Sequence, residues 1–237
     1  MNPLQNNSEI FSSIIILSSV VFFYFYYYFT TSGVPERICE NLNQKLQKKV
    51  AIFLIKKSLG FLILGFIPGL IYYFFLNRNF IKFGFSFDHF LRNIQIILLL
   101  MLMIAMLLFV NQKVNRRNNS LQIELTNWNI PLFLLNAFGW IIYLVGYEFL
   151  FRGILLFECY NSFGFWPAFA INIAIYSAIH MANGKAQTIG ALIFGGIACY
   201  LTLSRGTILI PIFMHVSLSV FSDYFSIRYN NNLSFVK

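Results

Sequence analysis

The chain has 237 residues, of which 58% are hydrophobic and only 11% charged, with a mean hydropathy of +0.69. Soluble domains carry about 25% charged residues, so this is the composition of a polytopic membrane protein and excludes an ordinary soluble domain. The formal charge of +9 falls mostly between apolar segments, where it reads as topological charge beside anionic lipid headgroups; no compact basic fold is left, so nucleic acid is excluded as a partner.

Residues 1–9 are polar and hold no Lys or Arg, and the apolar run Ile10 to Thr30 follows. Without a basic start, and with about 20 residues of apolar length, it reads as a retained anchor and not a cleaved signal. Its Phe- and Tyr-rich second half suits a bilayer interface. Residues 31–50 form a polar connection with Arg37, Lys45, Lys48 and Lys49. Lys56 and Lys57 are expected to snorkel near a helix start, which places the second span at 58–76 with a kink at Pro68. Residues 77–92 are a connection with Arg78, Lys82, Asp88, His89 and Arg92, so His89 is an interfacial loop histidine. The third span is Ile94 to Val110, and the polar loop 111–129 carries Lys113, Arg116 and Arg117.

The fourth span starts near Ile130 and could reach Phe157, too long for one straight crossing at 1.5 Å per residue, so a tilt or a break near Gly146 or Gly153 is expected. A turn at 161–164 leads to the fifth span, Phe165 to Met181, ending at Asn183-Gly184. The sixth span is Thr188 to Leu203, whose Gly190, Gly195 and Gly196 allow close helix approach. The seventh is Thr207 to Phe225, and the tail 226–237 is polar and loose. The fold expected is an all-α polytopic membrane helix bundle of about seven transmembrane helices, multi-pass in the cell membrane. The most basic loop, at 31–57, points to a cytoplasmic first loop and an outside N-terminus. Three cysteines, Cys39, Cys159 and Cys199, with no CxxC pair, suggest neither a disulfide framework nor a thiolate metal site. No pair of similar halves marks the chain as a transporter.

Charges at membrane depth are rare and costly. Glu148 and Arg152 stand four residues apart on one helix face, where a plain ion pair would neutralise both. His180 and His215 lie in two other apolar runs. Each alone reads as a hydrogen-bonded core histidine. Together with a carboxylate they admit two hydrolytic chemistries: a metal such as Zn held by Glu148, His180 and His215 with a position open for water, or Glu148 as base on a water with the histidines stabilising an oxyanion.

The stretch Glu148-Phe149-Leu150-Phe151-Arg152-Gly153, with Phe163-Gly164-Phe165-Trp166-Pro167-Ala168 after it, resembles the first motif region of the CAAX-protease and bacteriocin-processing family, which includes the type II CAAX prenyl endopeptidases and Abi proteins. The family's first motif is Glu-Glu-x-x-x-Arg. Its second, Phe-x-x-x-His, is similar to Tyr176–His180, and its third, His-x-x-x-Asn, to His215–Ser219. The likeness covers about residues 130–225. It divides the chain into N-terminal spans at 1–129, a catalytic core at 130–225 and a tail at 226–237.

That resemblance implies an intramembrane endopeptidase cutting membrane-associated peptides or proteins, with membrane lipid as its other partner. The first Glu of the family pair activates water; the histidines and Asn position it and stabilise the oxyanion, with or without a divalent metal. Carried over, the catalytic set is Glu148, His180, His215 and Ser219, supported by Arg152, Tyr147 and Tyr176. The departures are Tyr147 where the family has its first Glu, Ser219 for Asn, and Tyr176 for Phe. Three readings follow: Glu148 serves as base from a face about 100° round the helix, Tyr147 takes a different hydrogen-bonding role, or the chain is a catalytically impaired binding or immunity-type protein.

Overall fold

A computed structural model describes residues 3–76, 84–85, 87–115 and 121–236. Arg78, Lys82, Arg116, Arg117 and the side chains of Asp88 and His89 lie outside the described residues. Among the described residues the architecture is helical, apart from one pair of two-residue strands. Seven helical stretches among the described residues are long and apolar enough to cross a membrane: Glu9–Thr31, Lys45–Phe74, Phe90–Lys113, Ile130–Phe163, Phe165–Asn183, Lys185–Arg205 and Leu209–Tyr229. Helices are what such runs must form, because hydrocarbon offers no partner for an open backbone N–H or C=O.

The first span is α1 (Pro3–Thr31), followed by the short α2 (Val34–Ile38). The second span begins at Lys45, well before residue 58. It comprises α3 (Lys45–Phe61), a π-helical turn at Leu62–Phe66, and α4 (Ile67–Leu76). The irregularity expected at Pro68 thus starts upstream of it, in a widened turn of the kind that re-pairs backbone groups near a proline. The two lysines behave differently. Lys56 reaches outward to a 2.8 Å ion pair with Glu36 of α2, and its hydrogen bond holds the Glu36 carboxyl below the usual range. Lys57 does not snorkel: it is buried against the rings of Phe53, Trp140 and Tyr143.

The third span is α5 (Phe87–Asn115), which starts ahead of Ile94 and takes in residues 87–92 of the expected connection. Strand β1 (Asn127–Trp128) leads into α6 (Ile130–Glu148), whose first turn is capped by Asn129 Oδ1 accepting from Leu132 N at 2.9 Å. The fourth span does not break at Gly146 or Gly153. It passes into a π-helical segment, Phe149–Leu156, all of it buried, and then α7 (Phe157–Phe163). At Gly164, φ is 79°, a conformation open to glycine at little cost, and the chain turns there into α8 (Phe165–Ile179). A 3₁₀ turn at His180–Asn183, α9 (Lys185–Arg205) and α10 (Leu209–Tyr229) complete the bundle. The last helix runs past Phe225, and the tail is not loose: β2 (Ser234–Phe235) pairs in parallel with β1.

Helices α3 and α6, α5 and α10, and α8 and α9 form the closest-packed pairs. The second span meets the fourth backbone to backbone. A Cβ on Gly65 would lie 2.7 Å from Gly146 Cα, and one on Gly146 would lie 2.9 Å from Phe61 Cα. Small residues here let two backbones touch, so the N-terminal helices rest directly on the turn that carries Tyr147 and Glu148. The largest apolar core is built on the π segment (Phe149–Leu156), with Tyr147, Tyr176, Ile208 and Ile212. Outward-facing residues such as Leu98, Leu102 and Leu107 on α5 are exposed, as a lipid-facing surface requires.

Candidate active site

The fourth span supplies Tyr147, Glu148 and Arg152, and its widened helix buries all three. π-helical turns recur at functional sites, because the extra residue per turn re-aims side chains. Glu148 and Arg152 are fully buried and form the expected i,i+4 ion pair, with an Arg152 Nη atom 3.2 Å from Glu148 Oε2. The other carboxylate oxygen turns to a different span: His215 Nδ1, on α10, lies 2.6 Å from Glu148 Oε1. An ionised carboxylate can only accept, so His215 donates from Nδ1 and leaves Nε2 for other chemistry.

His180 comes from the end of α8. Its Nδ1 is 2.7 Å from the carbonyl of Tyr176, one turn back. A carbonyl cannot donate, so this bond fixes the Nδ1–H form. Tyr176 links the two halves of the site: its ring lies 4.8 Å from that of His180, and Arg152 Cζ stands 4.0 Å from its centroid. That is a cation–π contact within a desolvated cluster. The Tyr147 ring adjoins both histidine rings, at 6.4 Å from His180 and 5.7 Å from His215. The site thus brings Tyr147, Glu148, Arg152, Tyr176, His180 and His215 together. Ser219, a turn beyond His215 and half-buried, lies outside these contacts.

Further residues hold the site. Asn172 Nδ2 donates to the Phe151 carbonyl at 2.7 Å, giving a partner to a backbone oxygen in the π segment, and accepts from Cys199 Sγ at 3.0 Å. Phe194 packs on His215, with ring centroids 5.1 Å apart. At Gly195 a Cβ would come within 3.1 Å of the Tyr176 ring, so the glycine makes room for that ring. Asn172 is not among the sequence-derived site residues, although an amide inside an apolar run is a usable signal, and Cys199, read there as neither disulfide nor metal ligand, serves as its hydrogen-bond partner.

The donor set does not fit a metal. Glu148 already accepts from His215 and pairs with Arg152, whose positive charge would repel a cation beside the same carboxylate. Among the described residues, no three His, Cys, Asp or Glu side chains are grouped to hold one.

Residues 127–221 match a family model described as Rce1-like: Type II CAAX prenyl endopeptidase Rce1-like. The chain carries an Rce1-like domain. It runs from β1 to within α10 and contains Glu148, Arg152, His180 and His215. No curated protein and no solved structure matches the chain. The chain is therefore an integral membrane protein whose Rce1-like domain forms the fourth to seventh spans, with the polar cluster inside that domain.

Proposed function

We propose that this protein is an intramembrane endopeptidase that hydrolyses a peptide bond of a membrane-associated protein or peptide without a metal. The observation that carries the reading is the 2.6 Å hydrogen bond between Glu148 Oε1 and His215 Nδ1, joining two spans inside a buried cluster. A carboxylate bonded to Nδ1–H orients the imidazole and stabilises its protonated form, as in hydrolases that pair His with an acid. His215 Nε2 then takes a proton from water as the water oxygen attacks the scissile carbonyl carbon. The same nitrogen returns the proton to the leaving amine. Arg152 keeps the Glu148 charge compensated in a place where an isolated carboxylate would be costly. His180 presents its Nε2 side to the substrate, because Nδ1 is committed to the Tyr176 carbonyl. In this reading Glu148 works through His215, which accounts for a site that has Tyr147 where the family has its first Glu.

The test is cleavage of a lipid-tethered, fluorescence-quenched peptide library by the purified protein in liposomes. H215A and E148Q should each lower kcat by about 10²-fold or more, the usual size of a general acid–base contribution. Full activity in H215A would sink the assignment. A second reading rests on the Glu148–Arg152 pair, which occupies one carboxylate oxygen: a catalytically impaired member that binds peptide clients. It predicts peptide binding without cleavage by the wild-type protein.

A further inference from the structure

Tyr147 is 2% exposed, and its hydroxyl has no hydrogen-bond partner among the described residues. The ring itself is well housed. It packs against Phe151 at 4.6 Å and Tyr176 at 5.7 Å, and stands nearly perpendicular to the rings of His180 and His215, at 87° and 81°. A phenylalanine would fill the same aromatic nest without burying a polar atom, and an unpaired buried hydroxyl is a cost with no return in the resting protein. The Tyr147 ring adjoins both histidines, as the Tyr176 ring does, and Tyr147 precedes Glu148 directly in the chain.

We propose that the Tyr147 hydroxyl is the oxyanion donor of the site, hydrogen-bonding the scissile carbonyl oxygen as water adds to its carbon. This rests on the peptidase reading above. As the water oxygen bonds to the carbonyl carbon, the C=O π pair moves onto the carbonyl oxygen and the water proton passes to His215 Nε2. The new oxyanion accepts a hydrogen bond from Tyr147 O–H, which stays intact. When the oxyanion collapses, the C–N bond breaks and the amine leaves with the proton from His215. A preorganised donor in a water-poor site is worth most where charge develops, and tyrosine serves in this role as well as a backbone N–H. Tyr147 is therefore a neutral donor at a position where the family has a carboxylate.

The experiment measures kcat, KM and binding of a peptidyl phosphinate, a mimic of the tetrahedral oxyanion, with liposome-reconstituted wild type and Y147F. The phosphinate is built on the library peptide the wild type cleaves best. Y147F should lower kcat by roughly 10²–10³-fold, leave KM within about twofold, and weaken the phosphinate by a similar factor to kcat while leaving unreacted-peptide binding alone. Site-specific 3-fluorotyrosine at position 147, a stronger donor of nearly unchanged shape, should tighten the phosphinate and covers the case in which Y147F fails to fold. Unchanged kcat in Y147F, or unchanged phosphinate affinity with fluorotyrosine, overturns this inference and leaves the peptidase reading standing. A wild-type protein that cleaves none of the tethered peptides overturns both.

Discussion

The amine of Lys57 on α3 lies 3.0 Å from the indole centroid of Trp140 on α6, deep inside the bundle. The same indole donates from Nε1 to Asp223 Oδ2 on α10 at 2.8 Å, and Asn136 Nδ2 donates to that oxygen at the same distance. Lys57 and Asp223 thus share Trp140 as a common neighbour. This second polar cluster ties the N-terminal spans to two helices of the Rce1-like domain. D223A leaves the half-buried Trp140 and the buried Asn136 donors without their acceptor, at up to about 1–3 kcal/mol each, and should lower the Tm of the detergent-solubilised protein clearly. K57M with D223L together should cost less than the sum of the single changes, because a buried pair replaced whole is tolerated better than one broken. Additive Tm losses would show that Lys57 and Asp223 do not act on one another.

The contact between Gly65 and Gly146 is backbone against backbone, so no side-chain rotation can relieve an added methyl group. G65A and G146A should each separate the second span from the fourth, at about 1–3 kcal/mol for overpacking, and lower any cleavage activity because Glu148 follows Gly146 by two residues. Gly190 is the control. Nothing lies within 4 Å of a Cβ placed there, and it sits inside α9, so G190A should be neutral or stabilise by roughly 0.5–1 kcal/mol. Thermal denaturation of the three variants checks the ordering.

The seven spans were legible because each is a long apolar run, and lipid leaves such a run few other structures. The Glu148–Arg152 pair was legible for a local reason: four residues is a helix-face spacing. Three kinds of feature were not. The π-helical turns at Leu62–Phe66 and Phe149–Leu156 carry no hydropathy signature, so at the break expected near Gly146 or Gly153 the chain instead widens its helix and continues. Contacts between spans, such as Glu148 with His215, depend on how helices are rotated in the bundle, which spacing along one helix does not encode. Lys57 failed for a related reason. Its neighbour Lys56 reaches outward as a snorkelling lysine would, but one residue on, the helix has turned by about 100° and the side chain points into aromatic packing. The tail read as loose because polar residues with no apolar period give no hint that a two-residue strand will dock on β1.

Asn172 bridges two helices to the backbone of the π segment. Its amide donates to the Phe151 carbonyl, and its oxygen accepts from Cys199. N172L keeps much of the volume and removes both bonds, leaving the carbonyl of a widened turn without its side-chain partner, a loss of about 1–3 kcal/mol. C199A removes only the weaker thiol bond and should cost less. If activity depends on the π segment holding Arg152 and Glu148 in place, N172L should lower kcat by more than its loss of Tm accounts for. Equal kcat in N172L and C199A at matched stability would remove Asn172 from the support of the site.

Glu148 carries two partners with different meanings, and substitutions can separate them. Its bond to His215 belongs to the proposed chemistry, while its pair with Arg152 holds two opposite charges together at membrane depth. R152M leaves the carboxylate without its cation in a fully buried place, and breaking such a pair from one side costs about 3–5 kcal/mol. E148Q strands the guanidinium in the same way, although the Tyr176 ring still faces it. The double variant E148Q/R152M removes both charges and should recover much of the lost Tm. Its hydrolysis of the tethered peptides should stay low, because a neutral amide at position 148 no longer stabilises protonated His215. Stability restored together with cleavage would mean that Glu148 serves the fold alone; stability restored without cleavage assigns the carboxylate to the reaction.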